Sequence, residues 1–225
     1  MPDATATPSP ATDRGPYYEL RLYEMVQGRM AHFHDLMGRR VPPLFARHGF
    51  TPPLGIWESH AGPVVPLYAY LLRWPSLDAR MQAWGRFYSD PEWIEALAAN
   101  YAGQQRVERA HIAFLRASPL WAGLRSAAVG KAGGRQEMRR YDLRGLDEPT
   151  GQATLSAELA ALQASGAVVL GVFDMLIGAS CPQAVVFLAW PATAAPQPAD
   201  SLPCDTFLLQ PVPYGAAQHN FGSTA

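Results

Sequence analysis

The stretch Tyr-Glu-Leu-Arg-Leu-Tyr-Glu at residues 18–24 has a counterpart, Gln-Glu-Met-Arg-Arg-Tyr-Asp, at residues 136–142. In both stretches Glu, Arg and Tyr stand at alternate positions. Because successive side chains of a β-strand point to opposite faces, this alternation places all three on one face of a strand. The recurrence predicts a chain made of two copies of a module that begins with this strand.

Periodicity and turn residues predict the same order of elements in both copies. The first copy is predicted to begin with strand 17–24 and helix 29–48, which has a kink or break at its two prolines. Strands 54–59 and 67–74 follow. Two helices begin after Ser76 and Asp90, the latter helix running to about Gln105, and strand 110–116 ends the copy. The second copy reads as strand 137–143, a helix capped by Thr150, and strands 168–173, 184–190 and 206–210. The long second helix has no counterpart there, because a loop rich in Pro and Ala fills residues 191–203.

The order β-α-β-β-α-β is that of a ferredoxin-like module, in which helices cover one face of an antiparallel sheet. The other face must also be buried, and two such modules achieve this by packing sheet to sheet. The sequence therefore predicts an α+β protein of two tandem ferredoxin-like modules that share one core. Its expected parts are a tail (1–16), a first module (17–120), a linker (121–134), a shortened second module (135–214) and a tail (215–225).

Composition restricts the classes of partner. The 225 residues are 48% hydrophobic and carry a net charge of −1, so binding to nucleic acid or to an anionic membrane is not expected. No apolar run reaches the roughly 18 residues of a membrane-spanning helix, and the first 16 residues lack the pattern of a signal peptide. Lys131 is the only lysine, which indicates a GC-rich bacterial gene. We expect a cytoplasmic protein and leave assembly as a homo-oligomer open.

Several spaced motifs of the first module resemble the NIPSNAP family. They are Glu19-Leu20-Arg21-Leu22-Tyr23, Gly55-Ile56-Trp57, Arg73-Trp74-Pro75-Ser76, Arg80 and Asp90-Pro91-Glu92-Trp93. The resemblance covers most of residues 17–120, and residues 134–214 are similar to a shortened, diverged copy. It implies a ferredoxin-like fold of the dimeric α+β barrel superfamily, whose related folds include small monooxygenases and haem-containing dismutases or decarboxylases. Because the second copy lacks the Asp-Pro-Glu-Trp helix, one site on the side of the first module is favoured.

Six residues of the first module are candidates for a site. Arg21 could hold an anionic substrate, Tyr23 could donate a proton, and His34 could act as a base near neutral pH. Trp57, Tyr70 and Trp84 could form the apolar walls of a ligand pocket. The alternative for the Glu-Arg-Tyr triplet is a structural salt-bridge network, which we favour because the triplet occurs in both modules.

The absence of several common motifs restricts the metals, cofactors and reactions to be expected. No cluster of three metal ligands is apparent, so we expect no metal site. Nucleotide-binding, nucleophile-elbow and zinc-protease motifs are absent, so we expect no organic cofactor, with oxygen or haem as the alternative. Three functions remain. The first is a small-molecule enzyme or binding protein with a cavity, whose reaction is open and for which monooxygenase-like chemistry is one option. The second is a protein-interaction module, and the third is a structural module without catalysis. The concentration of aromatic and ionisable residues in the first module favours the first.

Overall fold

The computed structural model describes residues 15–124, 135–192, 197 and 201–214. The described residues form eight strands: β1 (Tyr17–Met25), β2 (Gly55–Ala61), β3 (Leu67–Trp74), β4 (Val107–Ala117), β5 (Arg135–Asp142), β6 (Val168–Ile177), β7 (Gln183–Trp190) and β8 (Cys204–Pro211). The helices are α1 (Met30–Asp35), α2 (Val41–Arg47), α3 (Leu77–Tyr88), α4 (Pro91–Tyr101), α5 (Pro119–Leu124) and α6 (Glu148–Ala164). Residues 125–134 of the predicted linker, residues 1–14 of the first predicted tail and the whole second tail, 215–225, lie outside the described residues.

The eight strands form one closed barrel in the order β1-β3-β2-β8-β5-β7-β6-β4. Within it, each module has the ferredoxin-like order, with its fourth, first, third and second strands side by side. The modules are joined at two edges, because β2 pairs with β8 and β4 pairs with β6, both antiparallel. The predicted α+β fold of two ferredoxin-like modules is confirmed, and closure of the barrel removes the exposed strand edges that single sheets would leave at these joints.

The interior of the barrel is filled by side chains from both modules. Leu20 lies opposite Leu71 and Leu22 lies opposite Ala69 on the inner face of the first sheet. Trp57 is fully buried, stacks on Phe187 of the second module with ring centroids 5.0 Å apart, and donates from Nε1 to Gln136 Oε1 at 2.6 Å. Such close packing gives the two modules one shared core.

The helical layer over the first sheet contains a π-helical segment, Leu36–Arg40, between α1 and α2. The predicted break at Pro42 and Pro43 therefore occurs just before the prolines. Neither proline has an N–H group for the carbonyl four residues earlier, and the backbone widens in the preceding turn, where Val41 N–H bonds to the carbonyl of Leu36.

Two helix ends differ from the sequence-based expectation. The residue that caps α6 is Asp147, whose carboxylate accepts from the N–H of Thr150 at 2.8 Å, so the prediction of Thr150 as the cap is wrong. Helix α4 ends at Tyr101 because Ala102 adopts a left-handed conformation with φ of 41°, four residues before the expected end. Among the described residues no helix combines the length and apolarity needed to cross a membrane.

Barrel closure gives an expected outcome for a chain cut between its modules. A protease site inserted at residues 130–134 and cleaved under native conditions should leave the two halves associated, because the β2–β8 and β4–β6 pairs and the shared core are unbroken. Gel filtration with mass spectrometry would detect one complex containing both fragments. Two separate folded halves would contradict the shared core.

Candidate functional site

Glu19 on β1 is the centre of a buried polar cluster between the first sheet and helix α3. The carboxylate has no exposed surface and accepts hydrogen bonds from Trp74 Nε1 at 2.8 Å and Trp84 Nε1 at 3.0 Å. Arg80 on α3 adds two more, from Nη2 at 2.8 Å and Nε at 3.1 Å. These four donors balance the desolvation of a buried charge and fix α3 on the sheet.

Arg21, two residues along the same strand face, is less completely paired. Its Nε lies 3.6 Å from Glu19 Oε1, and among the described residues this nitrogen has no hydrogen-bond partner. Its two terminal nitrogens donate to the hydroxyl of Tyr88 over long distances of 3.3 and 3.4 Å. The guanidinium stacks on the ring of Trp84, 4.1 Å from its centroid. Burial lowers the pKa of Arg21, but the nearby Tyr70, Tyr23, Tyr88 and Glu19 outweigh burial and raise the pKa above its ordinary value.

Arg21 faces a cavity of about 290 Å³ between the first sheet and the helices. Its walls come from β1, β3, β4, the helical layer around the π-helical segment, α3 and α4. Nine of the sixteen lining residues are aromatic, among them Tyr23, Tyr70, Trp84, Phe87, Trp93 and Tyr101. Arg21 is the only charged side chain in the described lining. The cavity is thus apolar, with one cation.

A pair of phenols forms the polar wall beside Arg21. The hydroxyls of Tyr23 and Tyr70 are 2.9 Å apart and share one hydrogen bond. Burial raises the pKa of both phenols, so both stay neutral at physiological pH. Tyr88, which is 48% exposed, lies on the solvent side of the cavity.

Four of the six predicted site residues, Arg21, Tyr23, Tyr70 and Trp84, line this one cavity. Trp57 does not, because Trp57 pairs with Ala69 whereas Tyr70 pairs with Ile56. Residues adjacent along a strand point to opposite faces, so Trp57 is directed into the barrel interior.

His34 is also outside the described lining of the cavity. Its Nε2 lies 2.5 Å from Glu58 Oε1, and its Nδ1 lies 2.7 Å from the hydroxyl of Tyr214, which is 3.1 Å from that of Tyr68. This cluster ties α1 to β2 and to the end of the second module. A smaller cavity of about 140 Å³ adjoins Tyr214 and shares Met37, Val41, Phe45 and Tyr70 with the larger one.

Sequence reasoning missed the contribution of α4 and the end of α3. Trp93, Leu97 and Tyr101 line the cavity and are spaced by four residues, which puts them on one face of α4. Trp84 and Tyr88 have the same spacing on α3, and their rings stack with centroids 5.1 Å apart. The spacing was available in the sequence, but it is equally typical of ordinary core packing.

In the second module the counterpart of Arg21 is fully compensated. Arg139 donates from Nε to Glu137 at 3.0 Å, has Glu158 at 4.0 Å, and donates from Nη2 to the carbonyl of Gln197. It is 1% exposed. Gln197 thus supplies a backbone acceptor to Arg139, so the two modules differ where the first has its cavity.

The described residues do not fit a metal or haem centre. They include no group of three His, Cys, Asp or Glu side chains arranged to hold a metal ion. The described cavity lining has no His or Cys to bind haem iron, and burial raises the pKa of its Tyr23, Tyr70 and Tyr101, which disfavours the phenolate that haem iron can also bind. Both ring nitrogens of His34 are engaged by Glu58 and Tyr214.

Removing the charge of Glu19 should destabilise the fold. Glu19→Gln leaves Arg80 and Arg21 without their carboxylate, so we expect the free energy of unfolding to fall by about 3 kcal/mol, typical of a broken buried ion pair. Urea denaturation measures the change. Asp35→Asn, which removes an exposed pair with Arg39, is the control and should cost less than about 0.5 kcal/mol. Equal effects would contradict a central role for Glu19.

The buried phenols should make stability depend on alkaline pH. Burial raises the pKa of Tyr214 to about 12 and also raises the pKa values of Tyr23, Tyr68 and Tyr70. Unfolded phenols lose their protons near pH 10, so above that pH the unfolded state binds fewer protons. The free energy of unfolding should be unaffected by these groups below about pH 10 and fall as pH rises beyond it.

Urea denaturation at several pH values between 9 and 12 would show this slope. Tyr214→Phe, which retains the ring, should reduce the slope relative to the wild type. A stability that stays constant across this range would contradict the burial of these phenols.

The similarity of this chain to known proteins is limited to one family profile and to solved structures. No curated protein matches the chain. The sequence profile of the NIPSNAP family matches residues 18–120. A solved NIPSNAP family protein of unknown function from Agrobacterium tumefaciens is 21% identical, covers 47% of this chain and 94% of its own, and has a TM-score of 0.41.

Solved structures that cover both modules include two of different description. A putative monooxygenase from Lactobacillus acidophilus is 8% identical, covers 88% of this chain and 94% of its own, and has a TM-score of 0.48. A mutant chlorite dismutase from Candidatus Nitrospira defluvii, solved with cyanide, is 10% identical, covers 92% of this chain and 95% of its own, and has a TM-score of 0.51. The last likeness shows a shared α+β barrel fold and nothing about activity. Residues 18–120 of this chain match the NIPSNAP family, and a second, shortened module completes the barrel.

Proposed function

We propose that this protein binds a small, mainly apolar molecule in the 290 Å³ cavity of its NIPSNAP domain, as an enzyme or a binding protein. The observation that carries the proposal is the convergence of Arg21, Tyr23 and Tyr70 on an otherwise aromatic cavity. Its volume is near the lower end of the range for small-molecule sites. Apolar walls with a few convergent polar groups are typical of such sites, because the walls supply affinity and the polar groups fix orientation.

Each polar group has a distinct role in this proposal. Arg21 orients the polar end of the ligand through its terminal N–H donors, whose bonds to Tyr88 are long. The Tyr23–Tyr70 pair is the candidate proton donor, since both phenols are neutral and one hydroxyl is oriented by the other. Trp84 fixes the plane of the Arg21 side chain by stacking. A monooxygenase-like reaction with oxygen, which the family resemblance implies for related folds, is the reaction class to test first.

The alternative is a protein-interaction or structural module without catalysis. Several large apolar side chains on the outer faces of α3 and α4 are exposed, including Met81 at 64% and Ile94 at 55%. Exposed apolar side chains on neighbouring helices are what a partner-binding surface would need. In that case the cavity would have no ligand, so ligand binding separates the two functions.

A tryptophan at the edge of the cavity should abolish ligand binding. Ala110 is exposed and lines the cavity, so the indole of Ala110→Trp should obstruct it. The uncharged probe is naphthylmethanol, and isothermal titration calorimetry measures its binding to both proteins. We expect saturable, equimolar binding to the wild type and a loss of at least about 10-fold in affinity for the variant.

Ala99→Trp provides the matched control, because Ala99 is exposed on α4 and does not line the cavity. It should bind the probe like the wild type. Spectra and mass spectrometry of the protein as purified should also reveal a co-purified small molecule that Ala110→Trp lacks. A wild type that carries no such molecule and does not bind the probe would refute the proposed function.

A further inference from the structure

We infer that the ligand of this cavity is an aromatic monocarboxylate, whose carboxylate binds Arg21 and whose ring occupies the apolar space beyond. This inference rests on the proposed function and specifies the class of molecule bound. It follows from a charge count, from the geometry of the donors and from a comparison with the second module.

The charge count leaves one cation without an anion. Within the described cluster Glu19 is the only carboxylate, whereas Arg21 and Arg80 are both positive. Arg80 forms the shorter pair with Glu19, at 2.8 Å, and Arg21 is 3.6 Å from the same oxygen. The side chain of Arg21 is only 6% exposed, so water cannot compensate its charge well. One negative charge in the cavity would neutralise the cluster.

The donors available to that charge suit a carboxylate. The guanidinium of Arg21 is planar and its stacking on Trp84 fixes the orientation of its donors. Its present bonds to Tyr88 are long, and Tyr88 is half exposed, so a carboxylate could replace them at low cost. Two parallel N–H donors match the two oxygens of a carboxylate.

The phenol pair supplies a further donor. Tyr23 and Tyr70 together carry two hydroxyl hydrogens, and their mutual bond uses one of them. The second has no partner among the described residues and can be donated to a ligand oxygen. Hydrogen bonds donated to a carboxylate are about twice as strong as those between neutral groups.

The shape and chemistry of the walls specify an aromatic body. Rings of Phe87, Trp93 and Tyr101 line the cavity away from β1, and Phe33 and Phe45 line it on the side of the helical layer. Aromatic rings pack favourably against one another in stacked or edge-on arrangements. A planar ring attached to a carboxylate therefore complements both the walls and the cation.

The second module provides an internal comparison. There Arg139 is near two carboxylates, Glu137 and Glu158, and also donates a hydrogen bond to the carbonyl of Gln197. The second module thus pairs its arginine with groups of the protein itself and needs no ligand at this strand position. The first module leaves Arg21 incompletely paired beside a cavity, so the asymmetry assigns the anion site to the first module alone.

The test compares naphthoate with naphthylmethanol, which differ in the charged group, by titration calorimetry at neutral pH. We expect the wild type to bind naphthoate about 10- to 100-fold more tightly, the range for a charged hydrogen bond. Arg21→Met should lose this preference and still bind the alcohol. Arg109→Met, which removes an exposed surface cation, should keep the preference and so excludes a general effect of net charge.

The outcomes separate the two proposals. If the wild type binds both probes equally, or Arg21→Met keeps the preference, the carboxylate inference is wrong while the proposed function stands. If neither probe binds and no small molecule co-purifies with the wild type, the proposed function itself fails.

Stability without ligand gives an independent check. Arg21→Met removes an incompletely paired cation, so the thermal midpoint of the ligand-free protein should stay the same or rise. Arg139→Met, which leaves two buried carboxylates without their cation, should lower the midpoint. If Arg21→Met lowers it as much as Arg139→Met does, Arg21 is a structural residue and the inference is overturned.

Discussion

The buried carboxylate of Glu19 is the interaction on which the first module depends. It joins β1 to β3 through Trp74 and to α3 through Trp84 and Arg80. A buried charge is tolerated only when several donors compensate it, so these four residues must be present together. Their arrangement fixes the distance between α3 and the sheet, and the cavity occupies the space that this distance leaves beside Arg21.

Barrel closure determines which face of the sheet can hold a cavity. The inner face is occupied by packed side chains from both modules, including Trp57 stacked on Phe187. The outer face of the first sheet is covered by helices of irregular geometry, with a π-helical segment in the middle. Helical irregularities of this kind are frequent at functional sites, because they leave space that regular packing would fill. The cavity accordingly lies between sheet and helices.

Both modules have the same strand order, but their helical layers differ. The Glu-Arg-Tyr face is present in both, but its partners differ. In the first module α3 brings a second arginine to Glu19, whereas in the second module α6 brings a second carboxylate to Arg139. The equivalent strands β1 and β5 therefore differ in charge balance. The cluster around Glu19 has an excess positive charge, whereas the charge of Arg139 is compensated.

The sequence by itself determined the fold, since strand alternation and helix-capping signals are local patterns that the structure retains. Strand β3 has the predicted bounds, and Ser76 and Asp90 cap their helices. It also brought Arg21, Tyr23, Tyr70 and Trp84 forward as candidates. The tertiary structure alone decided that Trp57 points into the barrel and that His34 is bound to Glu58 and Tyr214. Both depend on the register of β2 and on the path of the chain after β8, which no local pattern encodes. The same holds for the incomplete pairing of Arg21, because residues 59 positions apart, Arg21 and Arg80, compete for one carboxylate only after the helix has packed on the sheet.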